Sequence, residues 1–203
     1  MDMNKIVIAS RNKGKIKEIK SILSELPLLV KSIDDFKGLP EVKEDGDTFK
    51  QNAVKKAKTI MEILDLPVLA DDSGLEVDYI GGLPGVRSAR FAGENATDEQ
   101  NNKKLLKLLE GVSFNERTAR FVCVMALALP QGSIFTTTGS CEGYIATEPK
   151  GKHGFGYDPL FFIPEYNATM AELGDDLKNR ISHRAKALSK MKQKIIDVFQ
   201  MER

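Results

Sequence analysis

Two long runs of strand-forming residues, Arg117–Leu129 and Ser133–Ala146, are separated only by Pro130-Gln131-Gly132. So short a connection joins antiparallel neighbours and leaves no room for the crossover that a parallel pair requires. A purely parallel sheet is therefore excluded. Elsewhere strand and helix signals interleave. Lys5–Ala9 is an apolar strand, Ser10–Lys15 a polar turn, and Ile16, Ile19 and Leu23 then recur at helical spacing through about Glu25. Leu28–Ser32 reads as a second strand. A helix is predicted from Asp47 or Thr48, with Phe49, Ala53, Ala57, Ile60 and Leu64 on one face. Thr97-x-x-Gln100 has capping-box spacing ahead of Leu105, Leu106, Leu108 and Leu109. The last helix is predicted over about Ser182–Gln200. The expected fold class is mixed α/β, and the 203 residues fit one domain spanning 1–203.

Composition narrows the function classes. Lys and Arg number 30 against 29 Asp and Glu, a formal charge of +1, so nothing calls for a nucleic-acid polymer or an anionic membrane as partner. The longest apolar run, Phe121–Leu129, falls well short of the roughly 20 residues a transmembrane helix needs. The opening MDMNKIVIAS lacks a charged segment followed by a long apolar one, which predicts no signal peptide and a cytoplasmic protein. With only two histidines a His-built zinc site is improbable, and Cys123 and Cys141 stand apart, as structural thiols do. Any metal work falls to the acids.

The strongest acid signal is Asp71-Asp72. Pro67–Ala70 reads as a strand that runs into these carboxylates and turns at Ser73-Gly74, with Leu75–Tyr79 as a short strand beyond. Paired carboxylates at the end of a strand suit Mg²⁺, which takes oxygen ligands from one or two acids and shares the rest with water and phosphate. The same dipeptide also serves as an Asx turn or a helix cap.

Four further polar clusters surround this reading. Ser10-Arg11-Asn12-Lys13-Gly14-Lys15 places backbone N–H groups and a helix start where a phosphate can sit, or is simply a solvated lysine-rich helix start. It lacks the spacing of a Walker A loop. Glu44-Asp45-Gly46-Asp47-Thr48 precedes a helix that carries Asn52 and Lys56; Asp47 or Thr48 is expected to cap, while Glu44 is more available to a metal. Lys56, about two turns in, is by default a solvated lysine. Gly151–Pro159 holds three glycines around Phe155 and Tyr157, enough for close approach to a ligand and stacking on a base, or for a tight hairpin. Finally, Ser182 looks like an N-cap, with His183 and Arg184 in the first helical turn, where positive charge opposes the helix dipole.

In order and spacing these clusters resemble the non-canonical purine NTP pyrophosphatases, the inosine triphosphatase or Ham1-like family. The resemblance rests on Ser10-x-Asn12-x-x-Lys15, Gly46-x-Thr48-Phe49-x-x-Asn52-Ala53 and Ala70-Asp71-Asp72-Ser73-Gly74-Leu75. It continues through Gly81-Gly82-x-Pro84-Gly85, Ser88-Ala89-Arg90, Gly154-Phe155-Gly156-Tyr157-Asp158-Pro159 and Ser182-His183-Arg184. It implies a two-lobed mixed-sheet fold, a homodimer, a nucleotide cleft between lobes, and Mg²⁺-dependent hydrolysis of ITP, dITP and XTP to monophosphate and pyrophosphate. It further implies that Asp72 is proton acceptor and metal ligand, that Glu44 is the second metal acid, and that Asp71 plays a supporting part. Ser10, Arg11, Asn12, Lys13, Gly14, Lys15 and Lys56 match triphosphate positions, and Ser73 a substrate contact. Phe155, Gly156, Tyr157, Asp158, Lys178, His183 and Arg184 match the base and sugar end. The chain departs from the family pattern at Leu177, where an acid is frequent, and at Lys150, where arginine is frequent.

Two rivals are worth testing. The related Maf type acts on dTTP or UTP but favours a Ser-x-Ser-x-x-Arg opening, where this chain has Asn12 and Lys15. A nucleotide-sensing module would bind without hydrolysis and has no need of Glu44, Asp71 and Asp72 beside a triphosphate.

Overall fold

The computed structural model describes residues 4–201. Its strands are β1 (Lys5–Ile8), β2 (Leu29–Ser32), β3 (Val68–Val77), β4 (Leu83–Pro84), β5 (Thr118–Ala128), β6 (Ile134–Ile145), β7 (Phe161–Ile163) and β8 (Ala168–Thr169). Its helices are α1 (Lys13–Leu23), α2 (Phe49–Leu64), α3 (Asp98–Leu108), α4 (Asp175–Ile181) and α5 (His183–Phe199). The strands form one sheet in the order β2-β1-β3-β5-β6-β7-β8, with β4 on β3. β1 is parallel to both β2 and β3, whereas β3–β4, β6–β7 and β7–β8 are antiparallel. The sheet is thus mixed, as the sequence predicts.

Helix starts follow local chemistry. Thr48 caps α2: its Oγ1 accepts from Gln51 N (3.2 Å), and Gln51 Oε1 accepts from Thr48 N (3.1 Å). Thr97 and Gln100 repeat this reciprocal arrangement at α3. Each box satisfies backbone donors that a helix start otherwise leaves without partners. Asn12 Oδ1 does the same for Lys15 N at α1 (3.1 Å).

The chain divides into two compact units. One comprises residues up to Asp72, Cys123–Gly139, and residues from Arg184 on; the other comprises Ser73–Val122 and Ser140–His183. The first has a core of Ile6, Ile8, Leu69, Met125, Leu127 and the inward face of α5. The second packs Leu75, Leu105, Leu109, Phe121, Ile145 and Phe161. Fully burying each such side chain contributes about 1.5–3 kcal/mol.

One sequence expectation gives way. The twin acids do not end a strand, because β3 runs unbroken from Val68 to Val77 through Asp-Asp-Ser-Gly. The acids find cationic and amide partners beside the strand, so the backbone need not turn to solvate them. Leu75 N, just past Gly74, donates to Ser88 Oγ (2.8 Å). The last helix is α5 as predicted; another, α4, precedes it, and the extended Ser182 lies between the two. Among the described residues, no helix is long and apolar enough to cross a membrane.

Candidate active site

Successive side chains of a strand point to opposite faces, so Asp71 and Asp72 meet different surroundings although they are neighbours. Asp71 is fully buried. Its Oδ2 lies 3.0 Å from Lys15 Nζ and 3.1 Å from Arg184 Nη2, and Arg184 Nε also donates to it (3.3 Å). Arg184 Nη1 in turn pairs with Glu18 Oε2 (2.5 Å). Lys15 and Glu18 stand one turn apart on α1, on one face of that helix. Lys15, half-buried, and the buried Asp71, Arg184 and Glu18 therefore form a linked set of two cations and two anions. Burial alone raises the Asp71 pKa, but Lys15, Arg184 and Lys56 together overcome it and hold the carboxyl far below the usual range. Burial likewise disfavours the charged Arg184, and Asp71 and Glu18 more than restore it, so its pKa rises. Cys123 Sγ, 4.0 Å from Asp71, is pushed up to about 12 by burial and by that neighbouring charge. It stays a thiol.

Asp72, 4% exposed, faces Asn52 and Lys56 instead. Asn52 Nδ2 donates to Asp72 Oδ2 (2.9 Å), and Asn52 Oδ1 accepts from Gly46 N (2.7 Å). A Cβ at Gly46 would stand 2.8 Å from Asn52 Oδ1, so this close approach requires glycine. Lys56, one helical turn after Asn52, is buried and donates to Glu44 Oε1 and to the main-chain carbonyl of Asp71. It is not the solvated lysine that its place on a surface helix predicts. Burial lowers its pKa, but the charges of Asp71, Glu44 and Asp72 outweigh that and raise it. The Asp72 pKa moves upward, opposite to that of Asp71: burial is the main cause, Lys56 opposes it, and the Glu44 charge adds to the rise.

The other residues of the Ser10–Lys15 run lie at or just before the start of α1. Ser10 Oγ accepts from Asn12 N (3.2 Å), and Arg11 Nη2 donates to Leu39 O (3.1 Å). Arg11, Asn12 and Lys13 are exposed, and Gly14 is half-buried. Ser73, half-buried, follows Asp72 on β3.

In the second unit, Asp158 Oδ2 receives both Lys178 Nζ (2.5 Å) and Phe155 N (2.9 Å). The Lys178 ammonium stands 4.6 Å from the centre of the Phe155 ring. Tyr157 OH donates to Ser88 O (2.8 Å), and burial raises its pKa. His183 stacks on Phe121 (4.7 Å between centroids, 15° between planes). His183 and Arg184, adjacent in sequence, thus join different sets: one lies on an aromatic ring, the other in the four-charge set with Asp71.

The model of the Ham1 family matches residues 6–194. The chain belongs to the Ham1 family. Among its relatives, the dITP/XTP pyrophosphatase of Geobacter sulfurreducens is 54% identical over 190 residues, 94% of this chain and 96% of that protein. That of Desulforamulus reducens is 58% identical over 186 residues, 92% of each chain. A solved Ham1 protein from Coxiella burnetii superposes with a TM-score of 0.87 at 40% identity, covering 96% of this chain and 99% of that one. These relatives span nearly the whole chain, and the Coxiella burnetii protein shares its mixed α/β fold.

Three members of the first polar set escaped the site residues singled out from sequence: Asn52, Asp71 as a charge partner, and Glu18. Spacing held a signal for two of them. Asn52 precedes Lys56 by four residues and Glu18 follows Lys15 by three, so each shares a helix face with a residue already singled out. Glu44 and Asp72 form an all-oxygen donor pair close enough for one charge to disfavour the other. Among the described residues no three His, Cys, Asp or Glu side chains converge. Two carboxylates suit Mg²⁺, which completes its shell with water and phosphate oxygens.

Proposed function

We propose that this chain hydrolyses dITP, ITP and XTP to the nucleoside monophosphate and pyrophosphate, with Mg²⁺ as cofactor and residues 1–203 acting as one pyrophosphatase domain. The observation that carries the reading is the buried set in which Lys56 joins Glu44 to the Asp71 carbonyl while Asn52 holds Asp72. The names of the relatives, dITP/XTP pyrophosphatase, give it a substrate.

In this reading a water attacks the α-phosphorus. The new bond joins the water oxygen to phosphorus, the bond to the α–β bridging oxygen breaks, and pyrophosphate leaves. Asp72, oriented by Asn52, takes the proton of that water. Glu44 and Asp72 would hold Mg²⁺, which when bound would supply positive charge for phosphate oxygens and a more acidic water. Lys15 and Lys56 hold phosphate oxygens: each ammonium has three donors, and the carboxylate and carbonyl contacts do not use them all. Ser10, Arg11, Asn12, Lys13 and Gly14 add main-chain and side-chain donors at the α1 start, and Ser73 a further contact. Arg184 acts through Asp71, keeping Lys15 in place.

The base end is assigned to Phe155, Gly156, Tyr157, Asp158, Lys178 and His183. A donor aimed at a 6-oxo group meets an amino group in adenine, and a buried mismatch of that kind is costly. The same reading makes the protein a cytoplasmic homodimer that cleanses the nucleotide pool; a monomer mass in sedimentation equilibrium would remove the dimer.

The deciding experiment incubates the protein with Mg²⁺ and ITP, XTP, dITP, ATP, GTP or dTTP, and measures pyrophosphate and orthophosphate separately. Pyrophosphate from the 6-oxo purine triphosphates is expected. Orthophosphate as first product overturns the reaction, a preference for dTTP overturns the substrate, and binding without turnover leaves a sensor.

A further inference from the structure

Gly156 lies between Phe155 and Tyr157, and a single helix holds both of its main-chain polar groups. Its N–H donates to Asp98 Oδ2 (2.7 Å), and its carbonyl accepts from Asn102 Nδ2 (3.0 Å). Asp98 and Asn102 are four residues apart on α3, so they stand on one face of that helix, one above the other. Gly156 has φ +63°, in the left-handed region. Glycine there has more conformational freedom to lose than any other residue, so a loop built on it needs outside restraint to keep one shape. Residues on either side are tethered by other means: Phe155 N to Asp158, and Tyr157 OH to Ser88 O. Helix formation does not require the two α3 side chains, because Thr97 and Gln100 already form the capping box.

We infer that Asp98 and Asn102 are positioning residues for the base subsite: by holding the Gly156 N–H and the Gly156 carbonyl, which belong to successive peptide units, they fix the plane of the Phe155 ring. The inference rests on the proposed reading that this loop receives a 6-oxo purine. It extends the site to a helix whose side chains need not touch the nucleotide.

The test compares Asp98→Ala, Asn102→Ala and Asp98→Asn with the parent protein. The readouts are kcat and KM for dITP, inhibition by inorganic tripolyphosphate, which carries no base, and the melting temperature. Each alanine variant should raise KM for dITP about tenfold, as expected for a lost hydrogen bond, with kcat nearly unchanged. Tripolyphosphate inhibition should stay at the parental level, and Asp98→Asn, which keeps an acceptor oxygen, should restore most of the loss. Parental KM in the alanine variants overturns the inference, and so does an equal weakening of tripolyphosphate inhibition. If Asn102→Ala does not fold, the Asp98 pair decides by the same criteria. A parent protein that does not hydrolyse dITP removes the underlying reading, and the clamp with it; a parent that does so, with indifferent variants, removes the clamp alone.

Discussion

The polar centres of the two units are built differently. In the first, charge answers charge: Lys15, Asp71, Arg184 and Glu18 are linked in series, and Lys56 joins Glu44 to the backbone of β3. In the second, the buried pair of Lys178 with Asp158 sits among hydrogen bonds between side chains and main-chain atoms at Phe155, Gly156 and Ser88. A linked set distributes the cost of losing a member, because the partner left behind still meets an opposite charge. Breaking the buried Lys178–Asp158 pair removes the cation from a carboxylate that keeps the Phe155 N–H. The first arrangement suits groups that must meet a polyanion, and the second suits a loop that must keep its shape.

The largest expected effect is on chemistry in the first unit. Asp72→Asn should cut turnover about 10²–10⁴-fold, the scale for removing a general base, without lowering the melting temperature. Turnover near the parental rate would take Asp72 out of the proton-accepting role. Next comes the contrast between the pairs. Lys178→Met should lower unfolding free energy by about 3–5 kcal/mol, as breaking a buried pair does. Lys15→Met should cost only about 1–3 kcal/mol, since Asp71 keeps Arg184. Equal costs by urea denaturation would break the comparison.

The smallest effect is in the pH dependence of stability, and the two acids should differ in sign. Asp71 has its pKa depressed in the fold, so it contributes stability above the ordinary aspartate range, lost as pH falls through that range toward its folded value. Asp72 has its pKa raised, so its contribution is favourable at low pH and is lost as pH rises through the folded value. Asp71→Asn should therefore destabilise more at about pH 7 than at about pH 3, and Asp72→Asn should be neutral or stabilising at about pH 7. Urea midpoints of both variants at both pH values check this, and the same sign for both would contradict the opposed environments.

Much of the fold was legible in the sequence because its signals are local. Thr48 with Gln51 and Thr97 with Gln100 mark their helix starts at fixed spacing, and the runs around Pro130-Gln131-Gly132 become adjacent strands. The course of β3 was not legible, because Asp-Asp-Ser-Gly is turn chemistry unless something beside it accepts the charges. What accepts them comes from far along the chain: Arg184 lies 113 residues from Asp71 and 166 from Glu18. No spacing rule reaches that distance. The burial of Lys56 was hidden for the same reason, since a lysine on a helix reads as solvated until its partners Glu44 and Asp71 are placed. The local pattern did bring Asn52 and Lys56 onto one face of α2, and Lys15 and Glu18 onto one face of α1.

A carboxamide presents an oxygen at one end and an NH₂ at the other, and the two ends are nearly equal in size. At Asn52 the main-chain N–H of Gly46 claims the oxygen end, so the NH₂ end is the one turned toward Asp72. Reversed, the amide would set its oxygen against a carboxylate and an N–H against an N–H. The polarity presented to the acid is thus decided in the loop before α2, by a residue with no side chain. Even a single methyl group at that position would act on Asp72 at second hand.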